Sequence, residues 1–244
     1  MPKRFFLITL VFLLTIGTAF SAEKPFGGEG EIGMMITSGN SDTESVNGKI
    51  KLTYETERLI NAADFQALYK SEKTEDEDGV RRSQASAQKH EASVKTGYKF
   101  TENDYAFIRG AYVNDRFSGY NYQNTVSAGY GRKLITGERA NLSIELGPGY
   151  RYEKIRTGGS EEDAIFRASG LFTLKLTEGS AFEQDLSVET GDDKTITRSV
   201  SAIRAQIIGA LSMKLSYTID RQSRVPADTE KTNTETALTL VYGF

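Results

Sequence analysis

The chain carries a period-two alternation of apolar and polar residues, repeated over most of its length. Gly48, Ile50, Leu52 and Tyr54 interleave with Asn47, Lys49, Lys51, Thr53 and Glu55. Leu142, Ile144, Leu146, Pro148, Tyr150 and Tyr152 interleave with Ser143, Glu145, Gly147, Gly149, Arg151 and Glu153. The same pattern runs through 166–176 and 211–220. Successive side chains of a strand point to opposite faces, so this period predicts strands with one apolar and one charged face. About 12 strands follow, near 28–37, 43–55, 60–71, 83–100, 105–116, 122–134, 140–154, 163–176, 181–190, 197–208, 211–221 and 233–244. Several are longer than the common strand of about 5–6 residues and reach the roughly 9–11 that span a bilayer when tilted.

The connections add a second pattern. Short links at 56–59, 101–104, 135–139, 177–180 and around Gly209 alternate with generally longer ones at 38–42, 72–82, 117–121, 155–162, 191–196 and 222–232. Outer-membrane barrels alternate periplasmic turns and extracellular loops in this way. A strand that spans hydrocarbon must pair every backbone N–H and C=O, which requires a closed sheet without an edge. The expected fold is therefore all-β, a single closed antiparallel transmembrane β-barrel of about 12 strands.

The first residues point to the same compartment. Lys3 and Arg4 precede an apolar stretch from Phe5 to Phe20, and Ala19-Phe20-Ser21 offers small residues at a cleavage site. This is the layout of a secretory signal peptide over 1–21, with 22–244 forming the barrel. A location in the outer membrane of a Gram-negative bacterium follows, with lipid and lipopolysaccharide as surroundings. The terminal stripe Thr236, Leu238, Leu240, Tyr242 and Phe244 ends on an aromatic residue, and Leu240, Tyr242 and Phe244 are the expected signal for the outer-membrane assembly machinery.

Composition narrows the chemistry. The negative mean hydropathy and 38% hydrophobic content read at first as a soluble protein, but a barrel needs apolar residues only at alternate positions. Without Lys3 and Arg4, the 30 basic residues fall to 28 against 33 acidic ones, a net −5, which argues against nucleic-acid binding. No cysteine is present, and a single histidine excludes multi-histidine metal sites. No cofactor and no metal are expected. The charged faces meet in the lumen, where Lys49, Lys51, Arg109, Glu145, Arg151, Arg167, Lys175, Glu183, Asp185, Glu189 and Arg204 are expected inward residues, together with Lys70, Lys89, Glu91, Lys95, Glu153, Lys214 and Glu235. Both signs together on this face favour a narrow, internally paired lumen.

Three segments carry a family resemblance: Thr37-Ser38-Gly39-Asn40-Ser41-Asp42-Thr43, Asn114-Asp115-Arg116-Phe117-Ser118-Gly119-Tyr120-Asn121-Tyr122 and Gly147-Pro148-Gly149-Tyr150-Arg151-Tyr152. They resemble the YdiY-like family, whose members are often labelled salt-induced outer-membrane proteins. The first loop reads Ser-Gly-Asn-Ser-Asp where the family pattern has Thr-Gly-Asn-Thr-Asp. The resemblance implies an outer-membrane β-barrel and supplies neither a reaction nor a substrate.

Enzymatic candidates are weak. His90 has Gln88 and Ala92, not a serine, as same-face neighbours on its strand, so the pairing a barrel-embedded lipid hydrolase needs is missing locally. The acidic run Glu72-Lys73-Thr74-Glu75-Asp76-Glu77-Asp78-Gly79 lacks the spacing of a calcium loop and reads as a solvated loop, as do Glu161-Glu162-Asp163 and Asp192-Asp193. The expected function is a non-enzymatic one: a narrow diffusion pore or an envelope-structural barrel, with a lipid-modifying enzyme or a filled barrel acting through its loops as the alternatives.

Overall fold

A computed structural model describes residues 25–37, 42–75, 81–226 and 229–244. The expected signal peptide lies outside the described residues. Twelve strands follow one another: β1 (Phe26–Thr37), β2 (Asp42–Glu55), β3 (Leu59–Glu75), β4 (Arg81–Lys99), β5 (Asp104–Asp115), β6 (Tyr120–Thr136), β7 (Ala140–Ile155), β8 (Ser160–Thr177), β9 (Ser180–Gly191), β10 (Thr195–Ile208), β11 (Leu211–Gln222) and β12 (Thr232–Gly243). Each pairs antiparallel with its chain neighbours, and β1 pairs with β12, closing the ring. The barrel that the alternation predicts is the fold observed.

Every strand places an apolar side chain on the outer surface: Ile32, Ile50, Phe65, Val94, Ile108, Val126, Leu146, Phe166, Leu186, Ile203, Leu215 and Leu238, each at least 41% exposed. In water a continuous belt of this kind would be strongly unfavourable, at roughly 25 cal/mol per Å² of apolar surface. In hydrocarbon it costs nothing. Aromatic residues edge the belt. Phe26, Tyr54, Tyr98, Tyr130 and Tyr242 stand at the end where the turns 56–58, 100–103, 137–139, 178–179 and 209–210 lie, the turn end. Tyr112, Tyr122 and Tyr152 stack across β5, β6 and β7 at centroid distances of 6.2 and 6.1 Å near the opposite, loop end. Tyr122 and Tyr130 are eight positions apart on β6, about 20 Å along the axis at ~3.3 Å per residue and ~40° tilt, close to the ~25 Å apolar band of outer-membrane barrels.

The loop end differs from the expectation in one respect. The connections 116–119, 156–159 and 192–194 are nearly as short as the turns, because the strands run on into them. The acidic run begins inside β3, where Glu72 and Glu75 stand opposite Gln84 and Arg81, while 76–80 lie outside the described residues. Glu161, Glu162 and Asp163 are likewise part of β8. Beyond the membrane belt both faces of a strand meet water, so alternation fades while the backbone ladder continues.

Candidate functional site: a charged lumen

The face that turns away from the belt is polar and meets itself across the ring. Arg198 on β10 donates from Nη1 to Glu91 Oε1 on β4 at 2.8 Å, and lies 3.4 Å from Asp220 on β11. Lys89 on β4 lies 2.6 Å from Glu91 and 3.2 Å from Asp220. Strands β4 and β10 stand halfway round the twelve-strand ring, so the four side chains bridge the lumen from wall to wall. A circular ring of twelve strands about 4.8 Å apart and tilted ~40° would be about 24 Å across, more than a guanidinium and a carboxylate side chain can bridge end to end. The barrel is therefore flattened at this waist. Two cations and two anions share it, so each charge has partners of opposite sign, as removal from bulk water requires.

Further pairs line the walls. Arg204 makes two hydrogen bonds to Glu29, at 2.7 and 3.0 Å, reaching over β11 and β12, and Lys214 pairs with Glu31. Lys95 lies 2.5 Å from Glu145, which also accepts from Tyr105 Oη at 2.9 Å. Arg167 sits 3.6 Å from both Glu145 and Glu189.

A second cluster caps the loop end. Lys194, from the β9–β10 connection, reaches Glu153 at 2.7 Å and donates to Tyr120 Oη at 2.8 Å, its ammonium 4.1 Å from the centre of that ring. Arg151 bonds Asp163 at 3.0 Å and the carbonyl of Lys194 at 3.2 Å. Arg151, Glu153 and Lys194 are all 3% exposed or less. Burial pushes the Lys194 ammonium below its ordinary pKa, against the opposing pull of Glu153.

The residues singled out from the sequence fall as follows. Glu145, Arg151, Arg167, Glu183, Glu189 and Arg204 join the pairs above or lie 3.5–3.8 Å from a partner. Lys49, Lys51 and Arg109 share that inner face in register, opposite Glu31, Glu29 and Lys95, and form no ion pair among the described residues. Asp185 is on the same face and exposed; Lys175 has the same parity but sits exposed at the turn-end rim, beside a register shift. Leu240 and Tyr242 lie on the outer face of β12, and Phe244 follows that strand, its ring 6.5 Å from Phe26. Arg198, Asp220, Glu29 and Glu31 were not singled out, although Arg198 has the parity of Arg204 six positions on. Lys194 gave no periodic signal, because it lies in a turn.

His90 stands on the outer face, opposite Ala67 and Asn114, and is exposed. It has no route to the lumen. Among the described residues, no group of three His, Asp or Glu side chains is arranged to hold a metal ion.

Belt, aromatic edges, closed ladder and charged interior define an integral outer-membrane-type β-barrel. Residues 30–244 match the family described as "Protein of unknown function, DUF481", and the chain belongs to that family. It is similar to "Uncharacterized protein YdiY" of Escherichia coli (strain K12), 29% identical over 225 residues that cover 92% of this chain and 85% of the relative. The YdiY-like resemblance therefore holds across nearly the whole barrel. Among solved structures it is similar to an outer membrane channel from Pseudomonas putida F1, with a TM-score of 0.51 and 12% identity, covering 90% of this chain and 95% of that one. Identity that low speaks for the fold alone.

Proposed function

We propose that this barrel is a narrow conduit for small hydrophilic solutes or ions across the Gram-negative outer membrane, closed at rest by the Lys89–Glu91–Arg198–Asp220 bridge. The observation that carries the reading is the 2.8 Å contact between Glu91 and Arg198 from opposite walls. A lumen meant only to be filled is most simply packed with apolar or locally paired side chains. Here the four bridging side chains keep 19–29% of their surface accessible, so water reaches them. Rotamer changes that break the Arg198–Glu91 and Lys89–Asp220 contacts then open the waist without disturbing the ladder. In this orientation the turn end faces the periplasm and the loop end faces lipopolysaccharide, while the Leu240, Tyr242 and Phe244 stripe serves recognition by the assembly machinery.

Recording from planar bilayers tests the proposal. The native barrel is expected to give small, infrequent conductance steps, and the Glu91→Gln/Arg198→Gln variant steps at least several-fold larger or more frequent. Silence of both proteins at every salt and voltage would overturn it. That outcome would favour the second reading, a filled structural barrel, for which the near-complete burial of Arg151, Glu153 and Lys194 is the supporting observation.

A further inference from the structure

At the turn end the lumen opens into a cavity of about 400 Å³. Glu29, Lys51 and Thr53 line one wall, and Leu171, Thr173 and Glu183 the other. The charges on the two walls are in different states. In register, Lys51 stands beside Glu29 and Lys49 beside Glu31. Both of those carboxylates turn the other way, Glu29 to Arg204 and Glu31 to Lys214. Lys51, flanked in register by Glu29 on β1 and Asp64 on β3, is left on the cavity wall with no ion pair among the described residues. On β9, Glu183 is held only loosely, its Oε1 3.5 Å from Arg204 Nε. On the second wall Leu171 presents an apolar side chain that is 43% exposed although it is on the inner face, and Thr53 and Thr173 add a hydroxyl from each wall.

We infer that this vestibule binds small zwitterions: a carboxylate on Lys51, an ammonium on Glu183, and a short apolar stem against Leu171. A simple anion placed at Lys51 would meet the carboxylates of Glu29 and Glu183, and a simple cation at Glu183 would meet Lys51 and Arg204. Only a molecule with both charges satisfies both walls at once, and opposed fixed charges of this kind select by rejecting the singly charged analogue. The inference names the solute class of the proposed conduit, and rests on that reading for transport alone, since binding requires no conduction.

The test uses the full chain refolded in detergent micelles, with folding of each variant checked by heat-modifiable gel migration. Saturation-transfer NMR compares 4-aminobutyrate with butyrate and butylamine, which share its stem and carry one charge each. The zwitterion is expected to bind at least tenfold more tightly than either control. Lys51→Gln and Glu183→Gln should each reduce that affinity about tenfold, and Lys70→Gln, at the far end of β3, should leave it unchanged. Equal binding of butyrate, indifference to Glu183→Gln, or absence of binding by 4-aminobutyrate would each overturn the inference. Binding by a barrel that never conducts would sustain it while refuting the conduit.

Discussion

Arg198 and Glu91, 107 positions apart in the chain, are joined by a 2.8 Å hydrogen bond that crosses the lumen. No backbone ladder links their strands directly, so this contact is a strut between opposite walls. Their coupling is measurable. In a double-mutant cycle with Glu91→Gln and Arg198→Gln, unfolding by urea in lipid vesicles should yield an interaction energy of about 1–2 kcal/mol. Strict additivity of the two substitutions would show that the strut bears no free energy.

The cap at the loop end should be more sensitive, because its charges are nearly inaccessible to water. Lys194→Met leaves Glu153 with the hydrogen bond from Gln123 Nε2 and the 3.6 Å approach of Arg151 Nε, and is expected to cost about 3 kcal/mol, the usual penalty for removing one member of a buried ion pair. Adding Glu153→Gln should recover part of that loss. The effect also depends on pH. Burial makes the folded barrel release the Lys194 proton below the ordinary 10.5, while the unfolded chain still holds it. Where the unfolded state binds more protons, stability rises with pH. The native protein should therefore gain on the Lys194→Met variant as pH climbs toward 10.5, and a difference that falls over that range would contradict the burial argument.

Two glycines on the inner wall are set by backbone contact. A Cβ at Gly129 would stand 2.8 Å from the Cα of Gly147, and one at Gly147 2.7 Å from the Cα of Gly129. Strands β6 and β7 approach that closely because neither residue has a side chain. Gly129→Ala or Gly147→Ala should destabilise the barrel by about 3 kcal/mol through overpacking. At Gly110, on the outer face of β5, a Cβ meets nothing within 4 Å, and Gly110→Ala should be neutral or stabilising by up to about 1 kcal/mol. Urea midpoints of the three variants provide the comparison.

The seam of the ring rests on Phe244. Its N–H donates to the carbonyl of Gly28 and its carbonyl accepts from the Gly28 N–H, both at 2.9 Å, while its ring lies over the glycine. The β1–β12 register spans only Glu29↔Gly243 to Ile32↔Leu240, so these two bonds are a large part of the closure. Gly28→Val should displace the ring and lower the urea midpoint. Phe244→Ala keeps the backbone bonds, and its expected defect is slower assembly in cells with near-normal stability once folded. Normal assembly of Phe244→Ala in cells would remove the terminal aromatic from the recognition signal.

Much of this architecture is written locally in the chain. A strand shows its faces to any reader of alternate residues, so Ile50 and Leu146 announce the belt, and Lys49, Arg151 and Arg204 announce the interior, before any fold is known. The number of strands and their boundaries follow from the same periodicity, except beyond the belt, where Glu72–Glu75 and Glu161–Asp163 extend the ladder without an apolar signal. What alternation leaves open is which inward charges meet. Parity places Arg198 and Glu91 on one face, but their contact depends on the flattening of a closed ring, which only the whole sheet determines. The same holds for Lys194, whose partners Glu153 and Tyr120 come from strands folded beneath its turn, and for Lys51, which forms no ion pair among the described residues while its register neighbour Glu29 leans toward Arg204. Local spacing decides the side on which a residue lies. Closure of the barrel decides its partners, because the distances across a lumen belong to all twelve strands together.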